Sequence, residues 1–281
     1  MSPSSATLAT AAISKASLIN YRNFVDGAFV EGNTRLIDVT NPANGALVGR
    51  TPDSGADVVD AAVGAARKAQ RGWEALPAIQ RAGYLRQISA KIRGRRLELA
   101  DIIVREQGKV RGLAQVEVDF TADYIDYMAE WARRLEGEVL TSDRQNETML
   151  LLRKPTGVVA GILPWNFPFF LIARKLAPAL VTGNTIVIKP SEETPVNAFM
   201  FAELVAETDL PAGVFNLVGG RGKTTGEALI AHPDIDLITF TGSAATGAHI
   251  MQTAGKNLTR VNLELGGKAP AIVLSDADLD L

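Results

Sequence analysis

Cysteine is absent from this chain of 281 residues. Its absence excludes disulfides, thiolate metal sites and a thiol nucleophile within these residues. Histidine is scarce, with only His232 and His249, which argues against a histidine-rich metal site. We expect both histidines at the surface near helix ends, and we predict no metal centre.

Long apolar runs and one-sided charge are missing as well. No window approaches the roughly 20 uninterrupted apolar residues of a membrane span. The net charge is −2 and there is no dense stripe of lysine and arginine, so neither nucleic acid nor a membrane surface is an expected partner. The remaining balance, 47% hydrophobic and 21% charged residues, is typical of a globular protein, and the length predicts about two domains.

The first 20 residues are rich in serine, alanine and threonine, with Lys15 as their only charge. A secretory peptide is disfavoured because there is neither a basic leader nor an apolar stretch followed by a cleavage signal. We therefore predict a flexible tail over 1–20 and a cytoplasmic protein.

The next part of the chain mixes hairpins and helices. Alternation around Asp26-Gly27 predicts a small hairpin over 23–30. Ser54 has the character of an N-cap, and apolar spacing predicts helices over 56–70, 79–106 and 116–135. A polar stretch between two apolar runs predicts a protruding hairpin over 138–153, and its apolar second arm would need cover from another chain.

From Gly157 onward strands alternate with helices. Apolar runs predict strands at 158–163, 185–188, 214–218, 235–240, 261–265 and 271–274, with helices near 169–181, 196–207, 223–231 and 244–256. This order predicts an α/β fold with a Rossmann-like parallel sheet covered by helices on both faces. Ligands of such folds bind at the carboxyl ends of the strands.

The first two of these strands end in polar motifs. Asn166, in Pro164-Trp165-Asn166-Phe167-Pro168, could donate to a developing oxyanion, and Phe167 could line an apolar pocket. An ordinary proline-rich turn is the competing interpretation. In Lys189-Pro190-Ser191-Glu192 the acid is of the type that binds ribose hydroxyls and repels a 2′-phosphate, although Glu192 could also be a simple helix-entry charge.

Two glycine-rich segments follow. The run Gly219-Gly220-Arg221-Gly222-Lys223-Thr224-Thr225-Gly226 lacks the spacing of a phosphate loop, because Leu217 occupies the position of its first glycine, and it lacks the dinucleotide fingerprint. Phe240-Thr241-Gly242-Ser243, directly before a helix, offers a glycine, a hydroxyl and free helix N–H groups to a pyrophosphate. A plain Ser243 N-cap is the alternative.

Glu264 lies between two leucines, just before Gly266-Gly267. A carboxylate in this setting is either partly desolvated, with a raised proton affinity suited to a general base, or it faces water on the polar side of a strand. The two glycines would allow a ligand or backbone to approach closely. The local sequence leaves both interpretations open.

Four of these motifs, in this order, resemble the NAD(P)-dependent aldehyde dehydrogenase superfamily: Pro164-Trp165-Asn166-Phe167-Pro168, Lys189-Pro190-Ser191-Glu192, Phe240-Thr241-Gly242-Ser243 and Leu263-Glu264-Leu265-Gly266-Gly267-Lys268. The resemblance runs from about Tyr21 to Leu281, and the stretches 122–128 and 169–175 look most similar to lactaldehyde/glycolaldehyde dehydrogenases. It implies NAD as cofactor, a small aldehyde as substrate and a homo-oligomer, a dimer or tetramer, when full length. It also implies an NAD-binding domain over 21–136 and 156–266, an oligomerisation hairpin over 137–155 and a stub of a catalytic domain over 267–281.

The resemblance also implies roles for individual residues. In the family a cysteine attacks the aldehyde, an amide at Asn166 holds the oxyanion, a glutamate at Glu264 activates water, and Lys175 has a supporting role. The implied cofactor-binding residues are Ile162, Leu163, Pro164, Trp165, Lys189, Ser191, Glu192, Gly220, Phe240, Thr241, Gly242, Ser243, Gly247, Leu265 and Gly266. Phe167, Phe170 and Arg174 are the candidate substrate residues, and we infer that Arg174 contacts a polar group beside the aldehyde, because Phe170 and Arg174 share one helix face.

The chain departs from the family pattern where it lacks the nucleophilic cysteine. We therefore expect a truncated dehydrogenase that cannot oxidise aldehydes alone but still binds NAD weakly. Two alternatives remain, a naturally short NAD-binding module and a subunit that joins full-length homologues through the hairpin.

Overall fold

The computed structural model describes residues 19–30 and 35–279. The predicted flexible tail therefore lies outside the described residues except for Ile19 and Asn20. The strands are β1 (Asn23–Val25), β2 (Ala28–Val30), β3 (Arg35–Thr40), β4 (Leu47–Asp53), β5 (Glu138–Thr141), β6 (Thr148–Leu151), β7 (Val158–Ile162), β8 (Thr185–Lys189), β9 (Phe215–Leu217), β10 (Leu237–Gly242) and β11 (Arg260–Leu265). The α-helices are α1 (Ala56–Ala75), α2 (Ala78–Gly94), α3 (Arg96–Gln107), α4 (Arg111–Ala129), α5 (Pro168–Val181), α6 (Val196–Ala206), α7 (Glu227–Ile230) and α8 (Ala244–Ala254).

A seven-stranded sheet in the order β11-β10-β7-β8-β9-β1-β2 organises the fold. Its five strands from β11 to β9 run parallel. β1 and β2 continue the sheet in antiparallel pairing, so the predicted hairpin over 23–30 is confirmed. The α/β class with a parallel sheet is confirmed as well.

Helices cover both faces of this sheet, and its central strands are buried throughout. Every residue of β7 and β8 is buried. Along β7, Val159 packs into the core beneath α2, α4, α5 and α6, whereas Val158 and Ala160 pack into the core on the side of α1, α7 and α8. This two-sided burial is what continuous apolar runs in a parallel sheet predict.

The prediction that Ser54 caps α1 is wrong. Gly55 precedes the helix and no side chain caps it. Ser54 is buried, and its Oγ accepts a hydrogen bond from Asn23 Nδ2 at 2.8 Å. The Oδ1 of the same asparagine accepts from Gly219 N at 2.8 Å, so Asn23 joins the ends of β4 and β9 to β1.

The single helix predicted over 79–106 is two helices. The backbone of Arg95 (φ −112°, ψ 21°) leaves the helical region after Gly94, a poor helix former. The helix predicted over 116–135 begins earlier, as α4, and ends in a 3₁₀ turn over Glu130–Arg133. The segment predicted as a helix over 223–231 starts with a π-helical turn over Gly222–Gly226.

The observed strands differ from the prediction in two places. The antiparallel ribbon of β3 and β4 was not predicted. Residues 271–274 form no strand, and their apolar side chains Ile272, Val273 and Leu274 are exposed. An apolar run alone does not specify a strand when no neighbouring strand pairs with it.

The hairpin predicted over 138–153 is confirmed as β5 and β6, which form a separate two-stranded sheet. All eight residues of its two strands are exposed. Val139 is 75% and Leu150 64% exposed, which marks the hairpin as an apolar surface outside the core.

Candidate functional site

A cavity of about 670 Å³ lies at the carboxyl edge of the parallel strands. The turn after β7, the first part of α5 and the ends of β10 and β11 enclose it. Its lining residues are Pro164, Trp165, Asn166, Phe167, Phe170, Leu171, Arg174, Thr241, Gly242, Ser243, Glu264, Leu265 and Gly266. Apart from Leu171, each of them was singled out in the sequence, so motifs far apart in the chain meet at one place.

The turn that carries Asn166 is held in place by side chains that donate hydrogen bonds to its backbone carbonyls. Gln107 Nε2 donates to Trp165 O at 3.1 Å and to Asn166 O at 2.7 Å. Lys109 Nζ donates to Asn166 O at 3.1 Å. The side chains of Trp165, Asn166 and Phe167 are exposed, and they line the cavity from this fixed backbone.

Glu264 and Arg174 lie together at this cavity. Glu264 is at the end of β11, and 50% of its side chain is exposed. The sequence left open whether its carboxylate is desolvated or faces water, and in this structure it is largely open to water. Arg174, on α5, is similarly exposed, and its guanidinium lies within ion-pair distance of the Glu264 carboxylate.

Lys175 follows Arg174 on α5 and reaches the cavity through Thr241, one of its lining residues. It is buried, and its Nζ donates to Thr239 Oγ1 at 3.1 Å and to Thr241 Oγ1 at 3.0 Å. Burial lowers the pKa of Lys175 to about 8, the charge of Arg174 adds to that shift and the charge of Glu264 opposes it. A lysine poised near neutral pH can both hold and release a proton.

A second, smaller cavity of about 50 Å³ continues along the same edge between the π-helical turn and α8. Its lining residues are Ile162, Lys189, Gly222, Gly226, Glu227, Ile230, Thr246, His249 and Ile250. Ile162 lies two residues before Pro164 of the main cavity, and Thr246 lies three residues after Ser243. The segments that line the two cavities therefore adjoin in the chain, and we refer to the part of the sheet's carboxyl edge that carries both cavities as the groove.

Lys189 and Glu192 form a polar pair beside the smaller cavity. The buried Lys189 Nζ donates to Pro190 O at 3.0 Å and lies 3.2 Å from Glu192 Oε2. Gly222 N donates to Glu192 Oε1 at 3.1 Å. Burial lowers the pKa of Lys189, whereas for Glu192 the charge of Lys189 and the N–H donors outweigh burial and lower its pKa.

The start of α8 presents the features predicted for a phosphate segment. Ser243 is its N-cap, with Oγ accepting from Thr246 N at 3.2 Å, so the capping interpretation is confirmed. The N–H groups of a helix's first turn have no intrahelical acceptor and attract anions. A Cβ at Gly247 would lie 2.6 Å from Leu265 Cδ2, so the glycine brings the first turn of α8 close to β11.

Some predicted cofactor residues do not line these two cavities. Leu163 and Phe240 are buried behind them. Ser191 Oγ accepts from Glu193 N at 3.3 Å within its own turn. Gly220 has φ +146°, and a Cβ there would overlap Thr225, so this glycine satisfies a backbone requirement.

Sequence reasoning missed the residues that hold the site from behind. Gln107 is the last residue of α3, Lys109 lies between α3 and α4, and Glu117 lies on α4. Their role depends on contacts with residues about 50 positions away, which no local pattern reveals. Glu106 was missed for the same reason, and its buried carboxylate accepts from Val196 N and Asn197 N at the start of α6. Burial raises the pKa of Glu106 to about 7.

The described part of the chain contains no group of three acidic, histidine or cysteine residues placed to hold a metal ion. His249 lies within α8, 2.7 Å from Glu227 Oε1, rather than near a helix end as expected. His232 follows α7 and is 3.2 Å from Asp60 Oδ1. Within the same residues no helix combines the length and apolarity needed to cross a membrane.

The arrangement thus combines an amide, an exposed carboxylate, a guanidinium and a buried lysine around one cavity, with a helix N-terminus and a lysine–glutamate pair along the same groove. Such a set can stabilise a developing negative charge, accept a proton from water and bind an elongated ligand with an anionic centre.

Comparisons with known proteins agree with this chemistry. The sequence pattern of the aldehyde dehydrogenase family matches residues 29–281. The lactaldehyde dehydrogenase of Escherichia coli (strain K12) is 59% identical over 264 residues, which cover 94% of this chain and 55% of that protein. The D-glyceraldehyde dehydrogenase (NADP(+)) of Thermoplasma acidophilum is 42% identical over 258 residues, which cover 92% and 52% of the two chains.

The fold agrees as well. A crystal structure of lactaldehyde dehydrogenase from Escherichia coli matches with a TM-score of 0.90 and 58% identity, covering 94% of this chain and 55% of that chain. The chain spans about half the length of the curated relatives it matches.

Proposed function

The chain belongs to the aldehyde dehydrogenase family, and from that membership we propose that the whole protein oxidises a small hydroxyaldehyde, such as lactaldehyde or glycolaldehyde, to the carboxylic acid with NAD. The observation that carries this proposal is the convergence of Asn166, Arg174 and Glu264 on one cavity. The 59% identity to a lactaldehyde dehydrogenase supports the choice of substrate class.

Each of these residues has a proposed role. The side-chain amide of Asn166 donates to the aldehyde oxygen as negative charge develops on it. The exposed carboxylate of Glu264 takes a proton from the water that releases the acid. Lys175 holds a proton at Nζ near this carboxylate, because its pKa of about 8 lies close to neutral pH.

The covalent step is not assigned to this chain. The family resemblance gives that step to a cysteine, and these 281 residues contain none. We therefore expect the 281-residue chain by itself to leave aldehydes unoxidised. It retains the groups proposed to bind the cofactor and to orient the aldehyde.

NAD is the proposed cofactor, and it supplies the acceptor for the hydride that leaves the substrate. Its fit rests on the groove, in which the first turn of α8 suits a pyrophosphate and the pair Lys189 and Glu192 suits ribose hydroxyls. A carboxylate at Glu192 repels a 2′-phosphate, which favours NAD over NADP. One relative is named for NADP(+), so the affinities for NAD and NADP are to be measured side by side.

Arg174 is proposed to select the hydroxyaldehyde. It shares the cavity with Phe170, four residues earlier on α5, so an apolar wall and a guanidinium face the same ligand. A guanidinium donates hydrogen bonds and accepts none, which suits a hydroxyl beside the aldehyde carbon. Simple alkyl aldehydes have no group for it to bind.

The test starts by reading the gene beyond codon 281 and producing the complete protein. NADH formation is then recorded with lactaldehyde, glycolaldehyde and propanal, and NAD binding to the 281-residue chain is measured by calorimetric titration. We expect turnover of both hydroxyaldehydes, with kcat/KM for propanal at least about tenfold lower. A complete, folded protein that carries a cysteine but forms no NADH with any of the three would overturn the proposal.

A non-catalytic subunit is the second candidate, and the exposed hairpin favours it. The apolar residues of β5 and β6 have no cover within the described chain, and Leu152 after them is also exposed. We propose that a second copy covers this surface. Sedimentation of the 281-residue chain tests this: Leu150→Lys should shift dimers or tetramers to monomers, whereas Leu258→Lys, at an exposed residue outside the hairpin, should not.

A further inference from the structure

The ammonium of Lys109 is shared by three different groups. Its Nζ lies 2.6 Å from Glu117 Oε2, 3.1 Å from Asn166 O and 3.9 Å from the centre of the Phe167 ring. Only 10% of the lysine side chain is exposed. One charge therefore contacts two consecutive residues of the turn that lines the main cavity.

Glu117 extends this contact to α5. Its other oxygen, Oε1, accepts from Phe169 N at 2.9 Å and from Phe170 N at 3.2 Å. These are first-turn N–H groups, which have no acceptor within their own helix, and a carboxylate at this position also favours the helix dipole. Lys109 and Glu117 together thus join the turn at Asn166 to the helix that carries Phe170 and Arg174.

Burial and several simultaneous contacts restrict the positions of the Lys109 and Glu117 side chains. Glu117 is fully buried, so its charge requires compensation from Lys109 and from the two backbone amides. The carboxylate, the carbonyl and the ring each favour a different approach to the ammonium, and together they leave it little freedom. Gln107 holds the same carbonyl from a second side.

From this geometry we propose that Lys109 is a positioning residue that fixes the backbone of Asn166 and thereby aims its side-chain amide at the reacting aldehyde. The inference rests on the oxyanion role given to Asn166 in the proposed function. Lys109 is absent from the lining of the main cavity, so it acts through Asn166. A displacement of about 1 Å at such a donor lowers turnover on the order of 10²-fold.

A purely structural role is the competing explanation, because removing Lys109 alone would leave a buried carboxylate unpaired. The matched variants are therefore Glu117→Gln and the double variant Lys109→Met/Glu117→Gln. In both of them the side-chain oxygen of residue 117 still accepts from the start of α5. In Glu117→Gln the Lys109 ammonium keeps the Asn166 carbonyl and the Phe167 ring as partners, and in the double variant neither of the two charges remains. They differ only at Lys109. Lys91→Met, which removes an exposed lysine paired with Glu207, is the surface control.

The first experiment is a kinetic cycle in the complete protein with lactaldehyde and NAD. We expect Asn166→Ala to lower kcat by about 10²-fold to 10³-fold. Relative to Glu117→Gln, the double variant should lower kcat by about 10²-fold with KM for NAD unchanged. When Asn166 is already alanine, the same change at Lys109 should lower kcat by less than about threefold, since coupled residues are not additive. An equal loss in both backgrounds would show that Lys109 acts independently of Asn166 and would overturn the proposal.

The second experiment is independent of activity. Backbone ¹⁵N relaxation of the 281-residue chain should show order parameters of about 0.85 at Asn166 and Phe167 with Glu117→Gln, and values near 0.6 or below with the double variant. Unchanged order parameters would refute the positioning role even if turnover falls. If the order parameters fall but Asn166→Ala leaves kcat unchanged, Lys109 fixes the turn as inferred and the oxyanion role of Asn166 is the part that fails.

Discussion

Arg174 Nη2 lies 4.0 Å from Glu264 Oε1, at the outer limit of an ion pair, and about half of each side chain remains exposed. A pair this open contributes little to stability. Neither group uses all of its hydrogen-bonding capacity on the other, so the guanidinium and the carboxylate can both contact a ligand in the cavity they share. This relationship is the basis of the first prediction.

Arg174→Leu should remove the selectivity for hydroxyaldehydes that we propose for the complete protein. In the complete protein we expect kcat/KM for lactaldehyde to fall by about tenfold to 10²-fold, the loss expected when a charged donor to a substrate hydroxyl is removed, while kcat/KM for propanal changes little. NADH formation with the two aldehydes measures this. Arg111→Leu is the control, because it removes an exposed arginine at the start of α4 that is paired with Asp101 of α3. A parallel loss with both aldehydes would contradict a specificity role.

Glu192→Gln should weaken the proposed discrimination against NADP. The substitution removes the negative charge beside the proposed ribose position and keeps an acceptor for Gly222 N. We expect the ratio of the Kd for NADP to the Kd for NAD to fall by about tenfold, equal to about 1.4 kcal/mol. Calorimetric titration of the 281-residue chain with each cofactor measures the ratio. Glu193→Gln, its exposed neighbour, should leave the ratio where it was.

Lys175 should make the stability of the chain rise with pH. Its pKa is about 8 in the folded chain and 10.5 for the ordinary side chain, so between these values the unfolded state binds more protons. Stability is therefore gained as pH rises above about 8, by about 3 kcal/mol for the full interval. Urea unfolding at pH 7.0 to 9.5 should show this rise, and Lys175→Met should flatten it. Lys91→Met should keep the wild-type slope.

Gly247→Ala should keep or raise the stability of the chain and weaken its binding of the proposed cofactor. Alanine is the better helix former by about 1 kcal/mol, and the exposed Leu265 side chain that its Cβ meets can rotate away. That rotation moves Leu265 at the cavity it lines. We expect an unchanged or higher urea midpoint together with weaker NAD binding. Gly64→Ala on α1, where a Cβ has open space, should raise the midpoint and leave NAD binding unaltered.

The parallel sheet was predictable because four of its strands, β7 to β10, are short, mostly apolar runs that a helix follows, and both patterns are local. Apart from Leu171, the residues of the main cavity were predictable for a related reason, since parallel strands bring their carboxyl ends to one edge. The failures share a cause. Ser54 was expected to bond within its own segment, and it bonds instead to Asn23, 31 positions away.

The contact that holds the backbone of Asn166 was also unpredictable, because the two residues that form it are distant in sequence. Lys109 is an ordinary charged residue in a loop, and nothing near it in the chain indicates that it will contact a turn 57 positions later. The exposed end of β11 was unpredictable for a different reason. The local pattern singles out Glu264, but it is compatible with both a buried and a solvated acid. Only the packing around a carboxylate decides its solvation.

The division of the groove into two compartments has a consequence for how a ligand is recognised. Ile162 and Pro164, two residues apart on the strand β7 and its continuation, line different compartments. A ligand with two ends gains from both, because binding of one end raises the effective concentration of the other at its own compartment. Neither compartment has to bind tightly by itself. For the NAD proposed above, we therefore expect the whole dinucleotide to bind more tightly than either of its separate halves.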